Sequence, residues 1–377
     1  MFNIIYKTKE EMRIQMEVVY VNSKKDQKIY FSLFNKVYKD NKYARDANNY
    51  MLKQIFKGKT AFCKDKFIRG VYILGNKDIV MQCVFIHSDK LDALQIAYFE
   101  ALPEKHGAFD MLMKEAIKIC NERKIGKIVA GMNGHVNYGL GFLIDSFDKD
   151  PVFGTQYNPP YYKSYFERYN MKEIRLCSFY WDMNLVKMQK YTRIYEKLRS
   201  RYIIKEFNPN NLDEEARLYT YLNHVCFKNH RFYYPSSYEE DKVLVKELLL
   251  LSPKNFIVFA YDGAKPIGFV LWYPDFNQLI KPGRKINVLT LIKIQLFKRR
   301  ITKVKVGEIG VIPEYHNKGI PLLLLKYIAD KVKDKYTCGE SSWILEENKS
   351  SRLMTSTFAD KEYKHYAAYE MDVKNED

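Results

Sequence analysis

The residues with the clearest chemical potential form a turn that presents backbone N–H groups to one point in space. Residues 304–321 end in His316-Asn317-Lys318-Gly319-Ile320-Pro321 and run directly into the apolar stretch 322–328. A turn that opens a helix exposes unpaired N–H groups and the positive end of the helix dipole. Phosphate and pyrophosphate groups bind at such positions.

Three features of this segment predict the elements that position the turn. Val304, Val306 and Glu308 alternate with their neighbours, which predicts a half-buried strand. Pro313 ends that strand, and Gly319 precedes a run of helical composition. We therefore expect a strand, a sharp turn and a helix start, in that order.

The length and composition bound the class of protein. A chain of 377 residues predicts about two to three domains, and we expect two. No run approaches the ~18 apolar residues of a membrane span. The N-terminal residues lack the features of a secretion signal, and the six cysteines form no C-x-x-C pair, so we expect reduced thiols and a cytoplasmic location.

The formal charge of +17 favours anionic partners such as nucleotides, phosphorylated cofactors, nucleic acid or a membrane surface. The charge does not choose among them. Residues 288–300 place apolar side chains at helical spacing before a basic end. Most such stretches pack on their own domain, and the alternative is an interfacial helix that gives peripheral contact with an anionic membrane or a lipidic acceptor.

The two halves of the chain repeat one order of predicted elements. The first half is predicted to contain helices at 29–39 and 109–123 and strands at 67–74, 79–88, 94–101, 128–132 and 176–183. The second half is predicted to contain helices at 214–225, 239–251, 322–328 and 350–358 and strands at 256–261, 266–273, 304–312, 341–345 and 366–373. We predict two α/β domains, residues 1–190 and 191–377.

The turn resembles motif A of the GNAT superfamily of N-acetyltransferases, because Val311, Pro313, Gly319 and the apolar Ile320 stand at the matching positions. The resemblance implies that the turn amides hold the pyrophosphate of acetyl-CoA or another acyl-CoA while the strand end pairs with its pantetheine arm. The implied cofactor-binding residues are Gly310, Val311, Ile312, His316, Asn317, Lys318, Gly319, Ile320, Pro321 and Leu322. The sequence departs from the pattern at His316 and at Pro321, which has no N–H to donate.

A second segment resembles the same superfamily. Residues 343–348 read as a strand that ends at Asn348, and a helix over 350–358 follows. The resemblance implies that Asn348 and this segment pack against the cofactor. Thr355 stands where the family often has a tyrosine general acid, and Tyr366 or Tyr369 downstream could replace it.

Glu308 is the candidate general base, because it is the only acidic residue on the strand before the turn. The amine that attacks a thioester must be neutral, which requires a carboxylate or an ordered water nearby. A carboxylate among apolar neighbours has a raised pKa, which suits a base near neutral pH. The alternative is an edge residue that faces solvent.

Residues 96–108 form the corresponding segment of the first half, but the glycine turn there is short. We infer a degenerate GNAT-like domain that has lost its cofactor loop and that serves a structural or acceptor-shaping role. Residues 131–137, 156–162 and 251–276 resemble a little-characterised group of bacterial tandem GNAT proteins, the YghO-like group.

His224, Cys226 and His230 have a spacing that invites a metal interpretation. No fourth ligand lies nearby in the sequence, so we expect no metal.

We predict the α/β class, as two tandem GNAT-like domains that are each a mixed, mostly antiparallel sheet flanked by helices. The predicted activity is acyl transfer from acyl-CoA, most simply acetyl-CoA, to a small-molecule or peptide amine by direct attack, with Glu308 and Tyr366 as catalytic residues. The alternatives are a Fem-like transferase that uses aminoacyl-tRNA, so that tRNA would be a partner, and a non-catalytic CoA-binding module. The acceptor, the acyl length and the oligomeric state stay open.

Overall fold

The computed structural model describes residues 15–46, 49–183, 186–284 and 286–373. The N-terminal residues considered for a secretion signal lie outside this part of the chain. The strands are β1 (Met16–Tyr20), β2 (Lys66–Gly75), β3 (Asp78–Ser88), β4 (Leu91–Ala101), β5 (Lys127–Ala130), β6 (Phe142–Leu143), β7 (Lys172–Asp182), β8 (Ile203–Glu206), β9 (Ile257–Asp262), β10 (Lys265–Pro274), β11 (Lys303–Val311), β12 (Cys338–Ser341), β13 (Ile344–Leu345) and β14 (Lys361–Asp372). The helices are α1 (Lys24–Tyr30), α2 (Leu33–Val37), α3 (Asn49–Phe56), α4 (His106–Arg123), α5 (Tyr162–Glu167), α6 (Val186–Gln189), α7 (Thr192–Arg201), α8 (Leu212–Phe227), α9 (Tyr238–Leu251), α10 (Val288–Phe297), α11 (Ile320–Val332) and α12 (Lys349–Phe358).

The strands form one continuous sheet. Its order is β1-β2-β3-β4-β5-β14-β7-β12-β11-β10-β9-β8, with β6 beside β14 and β13 beside β7. Strands β4 and β5 are parallel to each other, as are β11 and β12, and the other pairs that the described residues form are antiparallel. The predicted α/β class, with a mixed and mostly antiparallel sheet flanked by helices, is confirmed.

The last strand joins the two halves of the chain. Strand β14 lies between β5 and β7, where Tyr369 pairs with Ala130 and Ala368 pairs with Ile174. Strand β7 in turn borders β12 of the second half. Each half therefore completes its sheet with a strand from the other half, which the sequence patterns did not predict. The division at residue 190 stays a prediction.

Helices cover both faces of the second half of the sheet. Adjacent residues of a strand point to opposite faces. Phe269 of β10 packs against Tyr219 and Phe227 of α8, whereas its neighbour Gly268 faces Ile320 of α11. Helices α8 and α11 therefore lie on opposite faces.

Helices α7 and α12 share the face of α11. Leu198 of α7 packs on Gly319 at the start of α11. Tyr191, the N-cap of α7, stacks edge-on against Phe358 of α12. The face opposite α8 thus includes α7, α11 and α12.

The predicted helix at 29–39 is two short helices, α1 and α2. The hydroxyl of Ser32 donates to the carbonyl of Ile29 at 2.7 Å and so competes with the helical backbone bonds at this position. None of the helices in the described residues has both the length and the apolar character that crossing a bilayer requires.

Candidate active site

The turn that opens α11 has the geometry expected from its sequence. Strand β11 ends at Val311, Pro313 begins a short 3₁₀ turn, and Gly319 is the N-cap of α11 with φ of 79°. Asn317 also has a positive φ, of 60°. A left-handed conformation favours Gly and Asn, and a Cβ at residue 319 would also lie 3.1 Å from Leu198. Local conformation and packing therefore both require Gly319.

The same turn leaves several N–H groups without an acceptor. The N–H groups of His316, Lys318 and Leu323 donate to carbonyls within the turn. Those of Asn317, Gly319, Ile320 and Leu322 take no hydrogen-bond acceptor among the described residues. Pro321 supplies none. A helix start of this kind attracts an anion through its free donors and its dipole.

The strand end beside the turn is held by a side chain. His316 Nε2 lies 3.0 Å from the carbonyl oxygen of Val311 and thereby ties the turn to the end of β11. The N–H of Ile312 donates to Ile267 of β10 at 3.0 Å. The structure thus brings the predicted residues 310–312 and 316–322 together at one corner of the sheet.

Strands β11 and β12 separate next to this corner. Their parallel pairing ends where Val306 pairs with Ser341, and the last bond between them is from Ser342 N–H to Val306 O at 2.8 Å. Strand β11 continues to Val311 without a β12 partner. The two strands therefore leave a gap in the sheet.

A cavity of about 340 Å³ passes through this gap, and we call it the through-sheet cavity. Its wall on the α11 face is mostly apolar and comes mainly from α11 and α12. Its wall on the opposite face comes from α8, α9 and the loop between them. The wall residues on the α11 face include Leu325, Ile328, Met354 and Phe358, and those on the α8 face include Phe227, Tyr233, Leu244 and Leu248.

Glu308 lies on the wall of the cavity and faces α8. The hydroxyl of Tyr219 donates to its carboxylate at 2.9 Å, and Asn223 Nδ2 donates at 2.9 Å. Burial raises the pKa of Glu308 to about 7, and the two hydrogen bonds oppose that shift. The carboxylate is therefore partly ionised near neutral pH, which suits proton transfer.

Two further polar groups lie on the cavity wall that sequence reasoning missed. Lys305 is 3% exposed, its Nζ donates to Phe153 O at 3.2 Å, and burial lowers its pKa to about 8. The buried hydroxyl of Tyr233 has no hydrogen-bond partner among the described residues, and burial raises its pKa. The strand alternation did not predict Lys305 because a bulge between Val306 and Glu308 shifts the register.

The second predicted segment reaches the cavity, but Tyr366 does not. Asn348 caps α12 by accepting a hydrogen bond from Ser351 N–H at 3.1 Å, and both Asn348 and Thr355 lie on the cavity wall. Tyr366 of β14 is 1% exposed and packs in the hydrophobic core with Leu176. It does not belong to the cavity wall. The structure therefore does not bring Tyr366 together with Glu308.

The two histidines considered for a metal have other partners. His224 Nε2 lies 3.1 Å from Ser236 O and His230 Nδ1 lies 2.7 Å from Arg231 O. Elsewhere, Glu346, Glu362 and His365 place potential ligand atoms within 4.8 Å of one another. There the imidazole of His365 bridges two carboxylates, and Arg352 pairs with Glu362 at 2.8 Å. This second group is an ion-pair network.

The corresponding gap of the first half is closed by the chain itself. Strands β4 and β5 pair only from Leu94 to Ile96 on β4. Beyond that point, Asn133 Oδ1 accepts from Tyr98 N–H at 2.8 Å, and the side chain of Gln95 exchanges two hydrogen bonds with Gly134. Tyrosine hydroxyls accept from the N–H of Ala101 at the end of β4 and from that of Lys105, the N-cap of α4.

Comparisons with known proteins support the fold. No protein-family model matches the chain. The chain is 21% identical over 281 residues to the bacterial ceramide synthase of Caulobacter vibrioides (strain NA1000 / CB15N), with 72% of this chain and 73% of that protein covered.

Solved structures match over most of the chain. A tandem GNAT protein from the clavulanic acid biosynthesis pathway, solved without acetyl-CoA, has a TM-score of 0.57 at 11% identity and covers 96% of this chain and 100% of its own. A GCN5-related N-acetyltransferase from Sphaerobacter thermophilus has a TM-score of 0.53 at 10% identity, with 95% and 96% covered. A probable N-acyltransferase from Enterococcus faecalis V583 has a TM-score of 0.54 at 9% identity, with 96% and 73% covered.

The chain has the fold of the GNAT N-acetyltransferases. More particularly, it has a tandem GNAT fold, since a tandem protein matches it over its length. The finer resemblance to the YghO-like group stays a prediction.

Proposed function

We propose that this protein is an acyl-CoA-dependent N-acyltransferase whose second half, residues 191–377, binds the donor. The observation that carries the proposal is the through-sheet cavity, which opens where β11 and β12 separate and has Glu308 on its wall. Such a passage lets a donor and an acceptor approach one reacting atom from opposite faces of the sheet.

The donor would bind on the face of α11. The free N–H groups of Asn317, Gly319, Ile320 and Leu322 would hold the pyrophosphate, and the separated end of β11 would pair with the pantetheine arm. Both sets of donors belong to main chain that packing holds in place. They would therefore orient the thioester at the gap without reorganisation.

The acceptor amine would approach from the face of α8. Its nitrogen forms a bond to the thioester carbonyl carbon, the C–S bond breaks, and the proton lost by the amine passes to Glu308. A hydroxyl on the wall, for which Tyr233 is the candidate in place of Tyr366, would protonate the leaving thiolate. Strand-end N–H groups would stabilise the developing oxyanion.

The first half would shape the acceptor side. Residues of that half, including Tyr138, Phe153 and Gly154, line the same cavity. Their position supports an acceptor-shaping role for residues 1–190, although the strand exchange makes the two halves inseparable in the sheet.

The acyl group is proposed to be a long fatty chain. The cavity of about 340 Å³ has mostly apolar walls and is larger than an acetyl group requires. Pockets of about 300–1,000 Å³ commonly hold drug-sized ligands. The similarity to a bacterial ceramide synthase supports the same class of donor and a lipid amine as the acceptor.

Titration calorimetry with acetyl-CoA, a long-chain acyl-CoA and CoA itself tests donor binding. We expect one site per chain, with the long-chain donor the tightest. Gly319→Glu should abolish the heat, because the new carboxylate repels the pyrophosphate and the position has φ of 79°. The matched control is Gly58→Glu, where φ is 63° and a Cβ meets nothing within 4 Å.

The absence of heat with all three ligands would overturn the proposal. Release of free CoA thiol in the presence of a panel of amines then tests turnover. Binding without any thiol release would identify a non-catalytic module instead.

A further inference from the structure

Helix α10 carries apolar side chains on a face that the protein leaves uncovered. Val288 is 70% exposed, Leu289 75%, Ile292 50% and Leu296 71%. These four residues lie on one side of the helix, at three- to four-residue spacing. Ile294 points the other way and is 1% exposed in the core. Contiguous exposed apolar side chains of this kind mark a surface that binds a protein or a membrane.

The end of α9 extends this surface. Leu250 is 62% exposed, and Gln295 of α10 donates a hydrogen bond to its carbonyl oxygen. The α10 patch, as we call it, consists of Leu250, Val288, Leu289, Ile292 and Leu296.

Four of the five patch residues lie within a strongly basic stretch of the chain. Between Asp275 and Glu308 the sequence has no acidic residue. The basic residues of this stretch are Lys281, Arg284, Lys285, Lys293, Lys298, Arg299, Arg300, Lys303 and Lys305. Lys298, Arg299 and Arg300 directly follow α10 and are exposed. The apolar patch is therefore bordered by positive charge.

We propose that the α10 patch docks this protein on the surface of an anionic lipid bilayer. Apolar side chains that enter the headgroup boundary, with basic residues against anionic lipids, are the pattern of a helix lying in the membrane plane. A second copy of the chain would bring the same positive charge to the interface and would be repelled. A bilayer satisfies both the apolar and the charged parts of the surface.

Docking would also place the bilayer beside one wall of the through-sheet cavity. Helix α9 contributes Leu250 to the patch and Leu244 and Leu248 to the cavity wall. A lipid amine could then reach the acceptor side from the membrane. This last step rests on the proposed function, whereas the docking itself does not.

Flotation of the full chain with vesicles tests the docking without any need for catalysis. Vesicles of phosphatidylcholine alone are compared with vesicles that contain about one third phosphatidylglycerol, at about 0.1 M and about 0.5 M NaCl, because salt screens surface charge. We expect binding to the anionic vesicles at low salt, and much weaker binding at high salt or to phosphatidylcholine alone.

Two double variants separate the apolar and the electrostatic contributions. Leu289→Gln with Leu296→Gln should weaken vesicle binding at least about tenfold by removing the inserted side chains. Arg299→Gln with Arg300→Gln should weaken it about 30-fold, which is about 2 kcal/mol at about 1 kcal/mol per basic residue near an anionic surface. The controls are Ile194→Gln, an exposed apolar residue of α7, and Lys24→Gln with Lys25→Gln in α1.

Thermal unfolding midpoints show that each variant is folded. Binding that the controls keep and the α10 variants lose supports the proposal. Wild-type protein that stays free of anionic vesicles overturns it, as do α10 variants that bind like wild type. A dimer of the chain would also overturn the proposal. That outcome requires that light scattering shows a dimer, that the Leu289→Gln, Leu296→Gln variant abolishes the dimer, and that vesicles capture no protein.

Discussion

The two parallel strand pairs of the sheet differ in what occupies the gap beside them. At β11 and β12 the gap is an open cavity of about 340 Å³. At β4 and β5 the chain after β5 fills the gap, where Asn133 and Gly134 bond to Tyr98 and Gln95. The same strand arrangement therefore makes an open passage in one half, whereas in the other half side chains close the gap beside a smaller cavity of about 110 Å³.

The two helix starts differ less than the two gaps do. At α11 the N–H groups of Asn317, Gly319, Ile320 and Leu322 have no acceptor among the described residues. At α4 the hydroxyl of Tyr165 accepts from the N–H of Lys105, the N-cap, while the N–H groups of residues 106–108 have no acceptor among the described residues. Free donors at a helix start therefore do not by themselves distinguish the two halves.

Each half nevertheless keeps a glutamate beyond the parallel pairing. Burial raises the pKa of Glu308 to about 7 and that of Glu100 to about 8. Tyrosine hydroxyls donate to both carboxylates. A buried carboxylate with a raised pKa is thus not itself a mark of the active site. Access to a through-sheet cavity is what distinguishes Glu308.

The largest expected effect comes from Glu308→Gln. Loss of a general base lowers kcat by about 10²–10⁴-fold. In the wild type, kcat/KM should rise with pH through about 7 and then level off, because Glu308 accepts a proton only when it is ionised. The variant should lose this rise. Initial rates of thiol release across pH measure both effects.

The matched control for this comparison is Glu100→Gln. Glu100 does not line the through-sheet cavity, so its replacement should leave kcat within about twofold. Equal losses from Glu100→Gln and Glu308→Gln would mean that the two halves do not differ as described. A pH profile unchanged by Glu308→Gln would remove the assigned base.

Asn133→Ala tests the side-chain contacts that close the gap between β4 and β5 in the first half. The change leaves the buried N–H of Tyr98 without its acceptor, which should lower the free energy of unfolding by roughly 1–3 kcal/mol. Denaturant titration measures the loss, and acyl-CoA affinity should stay the same. A second acyl-CoA site in Asn133→Ala would show that these side-chain contacts alone had blocked donor binding.

Asn348→Ala removes the cap of α12 and should lower the free energy of unfolding by only about 1 kcal/mol, as measured by the same denaturant titration.

Local patterns predicted most strands and helices of this fold. The strand before Pro313, the turn at Gly319 and the amphipathic helix at 109–123 each follow from nearby residues. The placement of β14 between β5 and β7 does not follow, because strand pattern shows which residues face the core but not which distant strand they pair with. To predict the pairing of β14, one must know which strands that are distant in sequence lie beside it.

The sequence likewise predicted some residues of the candidate site and missed others. The turn residues and Glu308 were predictable because they are contiguous in sequence. Lys305 was not predictable, since the bulge at Gly307 breaks the two-residue alternation of side chains along β11. Tyr233 comes from a loop that only the packing of α8 and α9 brings to the cavity. Tyr366 was one choice among many tyrosines, and its strand buries it in the core, away from the cavity wall.

The smallest predicted effect concerns Pro321, the position at which the open helix start lacks a donor. Pro321→Ala adds an N–H in the first turn of α11, where the neighbouring N–H groups have no acceptor. A charge-assisted hydrogen bond contributes about 1.5–3 kcal/mol, and part of this gain is offset by the loss of proline rigidity. We therefore expect CoA to bind about tenfold more tightly, as measured by calorimetry.

Two controls decide whether that gain comes from the pyrophosphate. Pantetheine, which lacks the pyrophosphate, should bind wild type and Pro321→Ala equally. Pro313→Ala adds an N–H at the end of β11 instead of the helix start, and should leave CoA affinity unchanged. An equal gain for pantetheine would show that the substitution acts through the strand end, and the start of α11 would then not be the anion site.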